Sequence, residues 1–232
     1  MTLKAAIFDI GGTLIKYPVS LTEMGKVFEE YCADVGLSLE EASDWFENYK
    51  SAREFGLKTL CEATFMDALR KTSDKYDLRL SRWEIINILR FMYDKAFKDK
   101  AELIPGAKEL LVYIKGRGLV TGLISNTAWP GSFHEEDLRR FGILHYFDSR
   151  IWTSEDGLRK PHKALFLKIL RQLGVNYSEA VYTGDTFSRD VEGPNGIGIP
   201  AIWITDEQPK DIFAGWRAKD LLEVKEIIQK LL

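Results

Sequence analysis

Cysteine is nearly absent from this chain: Cys32 and Cys61 are the only two among 232 residues. Two thiols cannot build a disulfide framework, and their separation fits no close-spaced zinc pattern. Such sparse use of cysteine fits a reducing compartment. Long apolar runs are also missing, which excludes an evident membrane-spanning helix. The first residues lead directly into a buried strand, where a secretory leader would show a basic and then an apolar region. A cytoplasmic location is therefore expected. Excess positive charge is missing as well. Lys and Arg total 32 against 35 Asp and Glu, a net charge of −3, so there is no polybasic footprint for nucleic acid. Internal repeats and low-complexity segments are absent too. What is present is ordinary for a globular chain, 45% hydrophobic and 29% charged. The length allows one large domain, or a core with a smaller insert.

The texture changes along the chain. Residues 4–9 read as a short, fully buried strand closed by Gly11 and Gly12. From about residue 20 to 98 no strand pattern follows. Leu21–Gly36, Ser38–Arg53, Lys58–Thr72 and Ser81–Lys98 carry apolar residues at helical spacing. Ser38 with Glu41, and Ser81 with Glu84, form capping boxes. Gly36 and Gly56 are expected to separate the helices. From Ile104 onward strands and helices alternate. Helices are expected at Ala107–Lys115, Glu135–Phe141, Pro161–Leu173 and Leu221–Leu231. Strands are expected at Leu119–Ile124, Arg150–Trp152, Ala180–Thr183 and Ala201–Ile204. That alternation calls for a parallel sheet covered by helices on both faces.

Open α/β sheets bind ligands at the carboxyl ends of their strands. Four polar clusters fall at such ends: Asp9 after the first strand; Ser125-Asn126-Thr127; Lys160 before a helix; and Gly184-Asp185 with Asp190 beyond it. Taken singly, each has an ordinary structural reading as a cap, a turn or a surface charge. In this order, and at these positions, they resemble the four motifs of the haloacid dehalogenase superfamily. The helical stretch lies where that family inserts a cap. The resemblance implies an α/β fold, a three-layer Rossmann-like parallel-sheet core (1–16 and 100–232) with an inserted all-helical cap (17–99).

The resemblance also implies roles for matching positions. Asp9 is the nucleophile, which would form an aspartyl-phosphate. Mg²⁺ is the cofactor, held by Asp9, the backbone carbonyl of Gly11 and Asp185, with Asp190 in or beside the ligand set. Ser125 and the Asn126 amide donate to phosphate oxygens. Lys160 adds a positive charge between nucleophile and phosphate, and Thr13 shapes the first loop. Tyr17, just after the first motif, and Arg53, near a helix end, are placed facing the substrate. The insert's aromatics, Trp45, Phe46, Tyr49, Phe55, Phe65, Trp83, Phe91, Tyr93 and Phe97, read chiefly as core. Trp129-Pro130-Gly131 reads either as an entrance wall or as a packed turn. Pro194 implies a short or kinked helix after the fourth motif.

One position departs from the phosphatases of this family. They carry a second aspartate two residues after the first, which protonates the leaving oxygen and then activates water. Here that position is Gly11. General acid–base catalysis is typically worth about 10²–10⁴-fold. Another group could supply the proton, with His134, His162 and Thr186 near the motif loops. The leaving group could need no acid. The chemistry could instead be phosphonatase-like carbon–phosphorus cleavage through a cap lysine, with Lys50 or Lys58 as the Schiff base. A fourth alternative is a non-catalytic phosphate- or metal-binding relative. Asp185 and Asp190 argue against metal-free dehalogenation. The leading expectation is a Mg²⁺-dependent hydrolase of a small phosphorylated metabolite, monomeric or homodimeric.

Overall fold

An apolar tetrapeptide, Ala5-Ala6-Ile7-Phe8, is the central strand of the molecule and is buried along its whole length. The computed structural model describes residues 2–207 and 213–232. The chain runs β1 (Ala5–Phe8), β2 (Ile15–Lys16), α1 (Leu21–Tyr31), α2 (Leu39–Thr59), α3 (Phe65–Lys75) and α4 (Arg82–Phe97). It continues through β3 (Glu102–Leu103), α5 (Ala107–Gly116), β4 (Val120–Ser125), α6 (Gly131–Arg140), β5 (Ser149–Trp152) and α7 (Thr153–Asp156). It ends with α8 (Lys163–Leu173), β6 (Ala180–Gly184), α9 (Glu192–Asn195), β7 (Ala201–Ile204), β8 (Gly215–Ala218) and α10 (Leu221–Leu231).

Six strands form one parallel sheet in the order β5-β4-β1-β6-β7-β8. Alternation along β1 sends its side chains to opposite faces. Ala6 and Phe8 join a cluster with α5, α6 and α10, whereas Ala5 and Ile7 join one with α8. Both faces are thus covered, as an all-parallel sheet requires. The arrangement is the expected three-layer Rossmann-like α/β fold. Among the described residues no helix is long and apolar enough to cross a membrane.

The stretch between β2 and β3 is helical, as its periodicity requires. These two short strands pair antiparallel, Ile15 with Leu103 and Lys16 with Glu102, and bracket α1–α4. The four helices share a cluster with Ala128, Trp129 and Phe133, in which Phe28 stacks on Trp45 with ring centroids 4.3 Å apart. Both expected capping boxes form, and Ser20 with Glu23 adds a third at α1.

Several boundaries differ from the sequence expectation. Gly56 lies inside α2 rather than ending it. A Cβ there would sit 2.4 Å from the Cys61 carbonyl oxygen, so the glycine admits the returning chain against the helix. The break comes at Leu60, in the left-handed conformation (φ 59°), and α3 begins only after the Thr64 cap. The sheet also gains β8, whose four residues Gly-Trp-Arg-Ala lack an apolar run. Phe55 and Trp83 point outward, 65% and 69% exposed, and are not core. Pro194 sits in the four-residue α9, which follows a π-helical turn at 187–191.

Candidate active site at the carboxyl ends of the strands

The first loop is built around one carbonyl. Ile10 O accepts from the backbone N–H groups of Thr13, Leu14 and Ile15, which folds residues 10–15 into a tight turn directly after Asp9. Gly12 takes φ 82°, and a Cβ there would lie 2.6 Å from Asp185 Oδ2. The glycine thus brings the Asp185 carboxylate against the loop that carries Asp9. Gly184 does the same on β6, where a Cβ would meet the Asp190 side chain at 2.4 Å. The two glycines gather carboxylates from two chain segments into one place.

Lys160 joins them. Its Nζ donates to Asp9 Oδ1 and Asp190 Oδ1, each at 2.7 Å, and to the Tyr182 hydroxyl at 3.0 Å. The lysine and Asp190 side chains are 1% and 0% exposed. Burial opposes the charge on Lys160, but Asp190 and Asp9 outweigh it and raise its pKa. Burial pushes Asp9 up to about 6; Lys160 tempers that rise, while Asp190 and Asp185 add to it. Asp185 is raised by burial and by Asp190.

Three carboxylates therefore face one ammonium, with the Arg189 guanidinium near enough to Asp185 to favour its ionised form. Oxygens of Asp9, Asp185 and Asp190 lie within 4.8 Å of one another. This is an all-oxygen donor set with negative charge to spare, which suits a hard divalent cation such as Mg²⁺. Asp190 is already engaged at both oxygens, since Oδ2 accepts from the Thr186 N–H at 3.1 Å. Its contacts orient Lys160 and the loop after β6.

The chain holds Lys160 in place from two sides. The Asn126 side chain accepts from Lys160 N at 2.8 Å and donates to Lys160 O at 3.1 Å. That fork, rather than a free amide aimed at substrate, is what the Asn126 side chain forms. On the other side, residues 60–62 zip onto 157–159: Glu62 N donates to Gly157 O and Arg159 N to Leu60 O.

A cavity of about 310 Å³ opens in front of Asp9. Asp9, Gly11, Ser125 and Asn126 line one end; Tyr17 and Arg53, both expected to face the substrate, line it too, with Tyr49, Phe65, Phe97 and Trp129. Trp129 thus serves both sequence readings, being buried and a wall. Thr13 is not on the wall. Its turn points it inward, where it is fully buried with a hydroxyl that has no partner among the described residues. Lys50 and Lys58 are not on the wall either; Lys50 pairs with Glu47, and Lys58 is exposed. His162 caps α8 through its ring nitrogen.

Three charged cavity groups escaped the sequence reading: Glu62, Arg159 and Arg189. Arg159 and Arg189 each directly precede a motif residue, Lys160 and Asp190, and that adjacency was the available signal.

The space left by Gly11 has a specific neighbour. A Cβ at this position would touch only the Tyr17 ring, at 3.8 Å. The Tyr17 hydroxyl turns away, donating to Asp137 Oδ2 at 3.2 Å. Tyr93 donates to the same oxygen. Each hydroxyl has one proton, so His134 Nδ1, 3.1 Å from Tyr93 and 3.2 Å from Tyr17, must carry its own and donate. His134 Nε2 then accepts from Thr127 Oγ1 at 2.6 Å. Burial depresses the His134 pKa to about 3, and burial with the Asp137 charge raises that of Tyr17. This circuit has no proton to release near neutral pH. His134 is a buried structural group, more enclosed than a polar residue at a helix start.

Comparison with known proteins agrees with this geometry. The haloacid dehalogenase-like hydrolase family model matches residues 3–198. A glyceraldehyde 3-phosphate phosphatase of Methanopyrus kandleri is 27% identical over 214 residues, covering 90% of this chain and 87% of that one. The crystal structure of a HAD phosphatase from Thermococcus onnurineus superposes with a TM-score of 0.65 at 26% identity, covering 97% and 98% of the two chains. A 2-haloacid dehalogenase from Pseudomonas syringae pv. Tomato shares the fold, with a TM-score of 0.73 at 19% identity and full coverage of both chains.

Proposed function

This chain belongs to the haloacid dehalogenase-like hydrolases, and on that premise we propose that it is a Mg²⁺-dependent phosphatase of small phosphorylated metabolites, working through an aspartyl-phosphate on Asp9. The observation that carries this reading is the Asp9 carboxylate, held at one oxygen by Lys160 and facing a cavity of metabolite size. Phosphatase relatives such as the Methanopyrus kandleri protein support the reaction class. We assign residues 1–16 and 100–232 to the catalytic core and 17–99 to the cap. The β2–β3 bracket supports that division, and Ala128, Trp129 and Phe133 of the core dock into the helices' cluster.

The roles follow from position. Lys160 occupies Asp9 Oδ1, which leaves Oδ2 to attack phosphorus. The phosphorus–oxygen bond to the leaving group breaks as the Asp9–phosphorus bond forms. Ser125, at the end of β4 and on the cavity wall, donates to a phosphate oxygen. Asp9, Asp185 and the Gly11 carbonyl would hold Mg²⁺, and the bound ion would neutralise charge on the transferring group. Asp190 and Asn126 position Lys160. Gly11 has no proton for the leaving oxygen, so that proton comes from solvent. The reading therefore favours leaving groups that depart readily as anions. Water then cleaves the acyl phosphate, releasing phosphate and restoring Asp9.

The test is phosphate release from an aryl phosphate and from two- and three-carbon phosphate esters, with Mg²⁺ and with excess chelator. Release that needs the ion is expected, fastest for the aryl ester. No release from any ester with Mg²⁺ present would overturn the reading.

A further inference from the structure

The cavity wall carries two sets of charged groups, and the reacting phosphate accounts for only one. Arg159 and Lys160 are consecutive, yet their side chains part. Lys160 reaches Asp9 and Asp190, while Arg159 turns toward the cap and Glu62. Arg159 is 5% exposed and lines the cavity, but its Nη1 has no hydrogen-bond partner among the described residues. Glu62 Oε1 stands 3.6 Å away, too far for a hydrogen bond. The Glu62 oxygens are otherwise committed, Oε2 to the Thr153 hydroxyl at 2.6 Å and Oε1 to the Ala63 N–H at 3.2 Å. A buried guanidinium donor without an acceptor is costly and calls for one.

Arg53 belongs to the same set. It lines the cavity from α2, half-buried, and forms no ion pair among the described residues. It lies near enough to Tyr49 and Glu62 for its charge to favour their ionised forms. Two guanidiniums and one carboxylate leave this set net positive. Arg189 belongs to the other set, since its Nη2 donates to Thr186 Oγ1 beside Asp185.

We infer that Arg53 and Arg159 form a subsite for a second anionic group of the substrate, a carboxylate or a phosphate, distinct from the phosphate that reacts. Guanidinium forks bind both groups through paired N–H donors. The inference rests on the phosphatase reading and narrows it: the preferred substrates are small phosphate esters with an acidic tail, not a neutral one.

The experiment uses three two-carbon esters: phosphoglycolate, ethylene glycol bisphosphate and ethylene glycol monophosphate. Binding is measured by calorimetry on the Asp9→Asn protein, with and without Mg²⁺, so that turnover does not interfere. At least one acid-tailed ester is expected to bind tenfold or more tightly than the neutral-tailed one, and which of the two does so identifies the group. Arg53→Gln should reduce that ratio at least fivefold, and Arg53→Lys should restore part of it. Arg53 is the residue to change, because loss of Arg159 would strand the buried Glu62. A ratio within twofold, a ratio unaffected by Arg53→Gln, or no binding of any ester would overturn the subsite. Phosphate release by the unsubstituted protein is measured in parallel. A binding preference without release would sustain the subsite and overturn the phosphatase reading; release without a preference would do the reverse.

Discussion

Two buried polar clusters flank Gly11, and they differ in charge balance. On one side Asp9 and Asp190 share Lys160 and Asp185 lies near Arg189, with Asp9 pushed up to about 6. On the other, Tyr17, Tyr93, His134, Thr127 and Asp137 form a chain in which every shared proton has an acceptor. His134 is neutral there, and Arg140 pairs with Asp137 at 3.1 Å. Both clusters are enclosed, so burial does not separate a site from scaffolding. Surplus charge does. The first cluster, with Arg189 near Asp185, keeps an excess of negative charge that a divalent cation would offset, whereas the second is balanced without a ligand.

The sharpest way to break this comparison is to remove one carboxylate from each side. Asp9→Asn keeps the shape and removes the proposed nucleophile. Phosphate release should fall by about 10⁴-fold or more. Asp137→Asn should leave kcat within about tenfold, because Asp137 orders a wall and touches no reacting atom. Equal losses in a steady-state assay would mean that the second cluster takes part in the chemistry.

Gly11→Asp tests the boundary between the clusters. A Cβ is accommodated beside the Tyr17 ring, and the backbone imposes no left-handed strain. If the missing acid limits the rate, turnover of an alkyl phosphate should rise by about 10²-fold, within the usual range for general acid catalysis. The aryl ester, whose leaving group needs less help, should gain far less. An unchanged alkyl rate in a folded variant would show that the leaving proton is not limiting.

The first cluster was largely legible in the sequence and the second was not. Asp9, Ser125 and Asp185 sit at or just past strand ends, and strand ends follow from short apolar runs; Lys160 lies beyond α7, in the loop that leads to α8. Asn126 was legible as a site residue, but its fork to Lys160 depends on how two loops meet. Tyr17, Tyr93, His134 and Asp137 come from a linker, the cap and α6, and they meet only when those elements pack. No local spacing encodes that meeting. Gly56 misled for the same reason: it reads locally as a break, but serves a tertiary contact with Cys61.

The clusters should also respond to acid with opposite signs. His134 is depressed to about 3 by burial, against 6.5 when unfolded. Between those values the unfolded chain binds a proton that the folded state refuses, so this residue's contribution to stability falls as pH falls. Asp9, raised to about 6 from 3.8, does the reverse. Its contribution is present below the unfolded value and is lost as pH rises through the folded one. The two oppose each other in the metal-free protein. His134→Gln should therefore remove an acid penalty of about 1.5 kcal/mol between pH 6.5 and pH 5, read from urea denaturation with chelator present. An identical pH slope in the variant would refute the neutral, buried assignment of His134.

The smallest expected effect isolates one proton of the second cluster. Tyr93→Phe deletes a hydroxyl that donates to Asp137 and accepts from His134. Asp137 keeps Tyr17 and Arg140, and His134 keeps Tyr17. The loss should therefore lie near the low end for a buried hydrogen bond, about 1 kcal/mol by chemical denaturation. The kcat for phosphate release should change by less than about threefold, because no group at the Asp9 end loses a partner. A kcat drop of about tenfold or more at this stability cost would mean that the two clusters are coupled across Gly11, and the second could no longer be read as scaffolding alone.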